Sequence, residues 1–269
     1  MPHHLDDCLH RLATAPAVLV SVGATRGSVP RETGTWMAVF AQALVGTIGG
    51  GHLEWDAIRQ ARDRLQQAPD HLSPWTREVV LGPSLGQCCG GALTLRFEPV
   101  TAADAPALRQ RLATPLTPVA LFGGGHVGRA LVQALADLPF ALRWIDSRDE
   151  VFPSPLPPTV QAEHSDPVAG AVRGLSPGSR VLIMSFSHAE DLDIVAACLQ
   201  RQRAQGDLPF VGLIGSRTKW ASFRSRLQAR GFADAELAHI TCPIGLPGIA
   251  GKAPEVIAAS VAAQLLLLG

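Results

Sequence analysis

Apolar and polar positions along this chain follow two periods, one of strands and one of helices. Ala17–Ser21 is an unbroken apolar run of strand length, and Thr35–Phe40 and Leu44–Ile48 follow it after turn-rich segments. From His52 to Gln67 the spacing becomes helical, with Leu53, Ala57, Ile58, Ala61 and Leu65 on one face. Trp75–Leu81 and the alternating run Ala92–Phe97 predict a hairpin around a glycine-rich loop. Residues 99–118 are crowded with Ala, Pro and Thr, the composition of a linker. Beyond them strands and helices alternate: Val119–Phe122, Val127–Ala136, Ala141–Ile145, Val181–Phe186, Asp191–Arg203, Phe210–Ile214 and Thr218–Arg230. Such alternation predicts a parallel sheet with helices on both faces. The expected fold class is therefore α/β, with an N-terminal mixed α/β domain over residues 1–100, a linker over 101–117 and a parallel-sheet domain over 118–269.

Composition supports a folded chain of this kind. Of 269 residues, 47% are apolar and 17% charged, which suits packed domains and argues against extended disorder. The 23 basic and 23 acidic residues cancel, so no overall field draws the chain to nucleic acid or to an anionic membrane. Lys219 and Lys252 are the only lysines; codon bias accounts for the arginine excess without invoking anion binding. The first residues lack the apolar run of a signal peptide, and stretches such as Val256–Leu268 are too short for a bilayer span. Five cysteines, an odd number, fit reduced thiols better than a disulfide framework, so the expected compartment is the cytoplasm.

Gly123-Gly124-Gly125-His126-Val127-Gly128 follows an apolar strand and opens a helix, which gives it both the G-x-G-x-x-G spacing and the context that spacing requires. Gly123 and Gly125 permit a tight turn and close backbone approach, Gly128 completes the spacing, and the helix start offers free N–H groups to a phosphate. Asp146 ends the next strand, where an acid would accept hydrogen bonds from a ribose. The alternative is a Rossmann-like turn that no longer binds a dinucleotide. Three further polar clusters fall at strand ends: Ser187–Asp191, Gly215–Arg217 and Cys242–Gly245. In a doubly wound sheet they border one crevice. His188 is then either a site residue or a helix-start histidine facing solvent.

Gly49-Gly50-Gly51-His52-Leu53-Glu54 repeats the logic of a glycine turn at a helix start, a nest of N–H donors for an anion. Glu54 is either a ligand contact or a carboxylate favoured by the helix dipole. Gly86-Gln87-Cys88-Cys89-Gly90-Gly91 places two adjacent thiols between glycines. Adjacent cysteines are poor partners for tetrahedral zinc, and no Cys-x-x-Cys completes such a site. Cys88 and Cys89 are either two small buried residues of a hairpin or soft ligands near a metal or a sulfur-bearing group. Cys8 and Cys198 read as ordinary helix-face residues.

Together these segments resemble the XdhC/CoxI family, the accessory proteins of xanthine dehydrogenase and carbon monoxide dehydrogenase. The likeness spans nearly the whole chain. It rests on Gly27-Ser28-Val29-Pro30-Arg31 with Gly34 and Met37, on the loops beginning at Gly49, Gly86 and Gly123, on Asp146-Ser147-Arg148, on Gly212–Arg217, and on Cys242–Gly245 with Gly251-Lys252. Val29 stands where the family more often has alanine. The resemblance implies a molybdenum cofactor (molybdopterin) chaperone. Such a protein shelters the cofactor while a cysteine desulfurase supplies its terminal sulfido ligand, then inserts it into a xanthine dehydrogenase-type molybdoenzyme. The resemblance also implies a homodimer and puts Cys88 and Cys89 nearest the molybdenum. Which glycine loop takes the phosphate stays open, as does a nucleotide in the Rossmann-like site.

Two other functions compete. An NAD(P)-dependent oxidoreductase would use the Gly123 loop and Asp146, yet the chain has no tyrosine for a Tyr and Lys proton relay, and neither lysine stands in a recognisable catalytic setting. A regulatory protein that binds a nucleotide and a partner enzyme would make Cys88 and Cys89 incidental.

Overall fold

The computed structural model describes residues 2–67, 73–81 and 90–268. The chain divides into two compact units, Met1–Ala113 and Thr114–Gly269. The expected α/β class holds in both: an antiparallel sheet with helices, then a parallel sheet of Rossmann type.

The N-terminal unit is built on strands β1 (Ala17–Arg26), β2 (Trp36–Phe40), β3 (Leu44–Gly46), β4 (Trp75–Val80) and β5 (Ala92–Val100), paired antiparallel in the order β3-β2-β1-β5-β4. Because side chains alternate across a strand, β1 feeds two cores. Val18, Val20 and Val22 pack with Leu53, Ala57, Ala61 and Leu65 of helix α2 (Gly51–Gln67). Ala17 and Leu19 face the other way, against Leu5, Cys8, Leu9 and Leu12 of helix α1 (Pro2–Leu12) and Leu108 of helix α3 (Ala105–Leu112). The stretch expected as a linker thus carries a helix seated in the first unit's core, with Pro106 in its first turn, where a missing N–H costs nothing.

The C-terminal unit has strands β6 (Thr117–Phe122), β7 (Phe140–Asp146), β8 (Val160–His164), β9 (Arg180–Ile183), β10 (Phe210–Leu213) and β11 (Ile240–Thr241). All pair in parallel, in the order β11-β10-β9-β6-β7-β8. Counted from β6, this is the doubly wound order 3-2-1-4-5-6 of dinucleotide-binding sheets. Helices α4 (His126–Leu135) and α8 (Pro254–Leu267) cover one face through Leu131, Leu135, Val261 and Leu265. Helices α5 (His188–Gln205), α6 (Arg217–Ala229) and the short α7 (Asp234–Leu237) cover the other, centred on Leu192, Val195, Phe223 and Leu237.

Two boundaries differ from the sequence expectation in ways that shape the site. The strand expected to reach Phe186 ends at Ile183, and α5 begins at His188 rather than Asp191. The cause is local polar bonding: Ser187 Oγ caps α5 by accepting from Glu190 N (3.2 Å), and Asp191 draws Ser185 N out of the ladder (2.8 Å). Residues 184–187 become a loop at the carboxyl edge of the sheet.

Candidate functional site

In the C-terminal unit the glycine loop forms the floor of a cleft. Gly123 has φ +126°, and a Cβ there would stand 2.0 Å from the carbonyl oxygen of Met184. Only glycine tolerates both conditions. Gly123 N donates to Ile145 O (2.8 Å), and Gly123 O accepts from the buried Trp144 Nε1 (2.9 Å). A Cβ at Gly128 would meet Gly123 O at 2.0 Å, so this glycine lets α4 press against the turn.

The cleft measures about 380 Å³ and is lined by Gly125–Gly128, Met184–His188, Asp191, Ile214 and Lys219. The amino ends of α4 and α5 open onto it, each with first-turn N–H groups that lack intrahelical acceptors and carry the positive end of a helix dipole. His188 is the exposed first residue of α5, its ring edge-on to Phe223 at 6.4 Å between centroids. Lys219, in the first turn of α6, donates from Nζ to Asp191 Oδ2 (2.6 Å) and to Ile214 O (2.9 Å). Asp191 also accepts from Ser185 N (2.8 Å) and Ser185 Oγ (2.7 Å). Nearby, burial pushes the Cys242 thiol up from its ordinary value, partly offset by the Lys219 charge and reinforced by Asp191. Sequence reasoning missed Lys219, because its partner Asp191 lies 28 positions away on another helix; the Gly215-Ser216-Arg217 helix start was the available signal.

Asp146 is placed at the end of β7 as expected, but its carboxylate is fully engaged. Oδ1 accepts from Arg148 N and Arg148 Nε (2.9 Å each), and Oδ2 accepts from Gly124 N (2.6 Å) and Arg148 Nη2 (3.0 Å). Burial opposes the charged form, but the Arg148 guanidinium and the Gly124 and Arg148 N–H groups outweigh it and hold the carboxyl below the usual aspartate value. Sequence spacing offered Asp146 to a ribose; in the folded unit it binds the glycine loop itself.

The N-terminal unit gathers its own motifs. Gly49 packs against the side chains of Pro30 and Arg31, and Gly91 N donates to Ser28 O (3.1 Å), so the Gly27–Arg31, Gly49–Gly51 and Gly90-Gly91 segments meet. The nest expected at Gly49–Gly51 is used internally. Glu54 Oε2 accepts from Ile48 N (2.9 Å), Gly50 N (3.1 Å) and Thr47 Oγ1, and Gly49 N donates to Thr47 Oγ1 (3.1 Å). Glu54 therefore braces the loop. His52, on the first turn of α2, is exposed and stacks on Trp55 at 5.6 Å. Cys88 and Cys89 lie outside the described residues. Cys8 and Cys198 are buried in α1 and α5, where desolvation pushes their thiols up to about 11 and about 12. Among the described residues no group of three or more His, Cys, Asp and Glu could hold a metal ion, and no helix is long and apolar enough to cross a membrane.

Fold and cleft define a two-unit α/β protein whose second unit carries a dinucleotide-type sheet with its crevice at the glycine loop. Two family models match it, one described as the XdhC and CoxI family over residues 10–73 and one as the XdhC Rossmann domain over residues 119–265. The chain belongs to the XdhC and CoxI family. It is 27% identical over 252 residues to the uncharacterized protein YqeB of Escherichia coli K12, covering 93% of this chain and 43% of that protein, so it spans less than half the length of this curated relative. A solved structure described as a xanthine dehydrogenase from Bacillus halodurans superposes with a TM-score of 0.78 at 22% identity, covering 98% of this chain and 95% of that one; the likeness is one of fold.

Proposed function

We propose that this protein is an accessory protein of a xanthine dehydrogenase-type molybdoenzyme and that its cargo is the molybdenum cofactor. It shelters the cofactor while a cysteine desulfurase supplies the terminal sulfido ligand, and then hands it to the apo-enzyme, acting as a cytoplasmic homodimer. The observation that carries this reading is family membership, with matches in both units in the expected order.

The described residues fit one end of such a cargo. A phosphate suits the cleft at Gly125–Gly128, where the α4 and α5 amino ends supply N–H donors and the positive ends of their dipoles, beside the Lys219–Asp191 pair. The internally satisfied loop at Gly49–Gly51 suits a phosphate less well. Cys88 and Cys89 are the residues proposed to meet the molybdenum end.

A rival reading, a nucleotide-binding protein or NAD(P)-dependent oxidoreductase, is favoured by the strand order but weakened by the saturated Asp146 carboxylate. The deciding experiment is anaerobic equilibrium binding of isolated molybdenum cofactor to the wild type and to a Cys88→Ser, Cys89→Ser variant. Saturable binding lost in the variant supports a thiol-lined carrier site. Absence of binding by the folded wild type overturns the carrier reading.

A further inference from the structure

Strands β7 and β9 flank β6, so the loops after them face each other across the glycine turn. In a dinucleotide-binding sheet this crossing point is where the extended ligand lies, with one ribose on the acid that ends the second strand. Here the two loops are joined. Ser147 Oγ donates to Glu190 Oε1 (2.6 Å), while Glu190 Oε2 accepts from Phe186 N (3.1 Å) and so fixes the opposite loop. The Arg148 guanidinium lies 4.3 Å from the centroid of the Phe186 ring. Arg148 is itself clamped by both oxygens of Asp146, and His164 Nε2, at the end of β8, is 3.0 Å from Ser147 O.

A carboxylate offers about four acceptor positions. Asp146 fills them with Gly124 N, Arg148 N, Arg148 Nε and Arg148 Nη2. None is left for a ribose hydroxyl unless Arg148 moves, and Arg148 is held by the Asp146 carboxylate on one side and Phe186 on the other.

We infer that Ser147, Arg148, Phe186 and Glu190 form a latch that closes the ribose half of the crevice to dinucleotides and leaves only the cleft beside Gly125–Gly128 for a shorter phosphate-bearing ligand. The latch is a specificity device: it keeps abundant nicotinamide dinucleotides out of a sheet whose topology would otherwise accept them. It stands on geometry within the C-terminal unit and does not depend on molybdenum.

The test is calorimetric titration of the full chain with NAD⁺, comparing wild type with a Ser147→Ala, Arg148→Ala variant. The variant frees two of the four acceptor positions on Asp146 and unties both loop contacts. The wild type is expected to show no saturable binding at about 1 mM NAD⁺, and the variant to gain at least about tenfold in affinity, a gain abolished when Asp146→Asn is added. Arg148→Ala alone is expected to move the same way and serves if the double variant unfolds. Wild-type binding well below 1 mM overturns the latch, and so does a folded variant that gains nothing. Parallel titration with isolated molybdenum cofactor separates this inference from the carrier reading, because loss of wild-type cofactor binding sinks the carrier and leaves the NAD⁺ comparison intact.

Discussion

The Lys219–Asp191 pair beneath the cleft is the charged contact whose removal has the best-defined cost. Both side chains are nearly buried, at 12% and 3% exposed, and Asp191 gathers donors from Ser185 as well as from Lys219. Asp191→Asn preserves the shape but turns an N–H donor toward the ammonium, leaving Lys219 with Ile214 O alone. Breaking a buried pair by removing one partner costs about 3–5 kcal/mol; the residual carbonyl contact places this variant near the lower figure. Lys219→Met leaves Asp191 with both Ser185 donors, so its loss is about 2 kcal/mol, on the scale of one hydrogen bond to a charged group. Because each single change removes the other side chain's charged partner, the double variant should lose less than the two combined, with a coupling of about 1–2 kcal/mol. For a unit of about 150 residues, 3 kcal/mol corresponds to a fall of roughly 6–12 °C in melting temperature. Calorimetry measures the fall, and hydrogen exchange on peptides covering residues 183–195 locates it. A shift under about 2 °C for Asp191→Asn, or additivity within about 0.5 kcal/mol, refutes the argument.

Other outcomes follow from the same contacts. Since the folded Asp146 carboxyl is held below its ordinary value, its stabilising contribution is complete above about pH 4 and is lost as the pH falls through the folded pKa. Urea midpoints of wild type and Asp146→Asn between pH 2 and 7 should differ at neutral pH and converge in acid. Gly128→Ala, which drives a methyl into Gly123 O, should destabilise by about 2 kcal/mol or more in urea unfolding. Glu54→Ala should cost about 1–3 kcal/mol by orphaning Ile48 N and Gly50 N, and Glu54→Gln distinctly less. Cys8 and Cys198 should resist iodoacetamide at pH 7.5 and label only after unfolding, as read by peptide mass spectrometry.

Much of the architecture was legible because burial sets the pattern. The Val119–Phe122 run, the Gly123 turn and the α4 helix follow from hydrophobic spacing and glycine placement alone. Strand β8 escaped notice because Val160–His164 is a short edge strand with one buried residue and polar neighbours, and β11 is two residues long. Helix α8 is apolar nearly all round, so Val256–Leu268 carried no amphipathic stripe to announce it. Around the cleft and at the start of α2, local motifs marked the glycine turns at Gly123 and Gly49 but not what those turns bind. That Asp146 binds the glycine turn, that Glu54 closes on its own loop and that Lys219 reaches Asp191 are tertiary facts, set by how strand ends meet rather than by spacing within a segment.

The welding of Gly123 into the sheet has a kinetic consequence. Its N–H and C=O are both committed, to Ile145 and to the Trp144 indole, and its Cα is pressed against Met184. The turn's shape is therefore set by contacts within the unit itself, so a molecule that enters the cleft meets a surface already formed. A ligand that binds here would be captured at a rate set by encounter and orientation, on the order of 10⁵–10⁷ M⁻¹s⁻¹, and its residence time would be set by the contacts it makes. Under the carrier reading proposed above, that division would let a recipient compete for the ligand without first having to unfold its carrier.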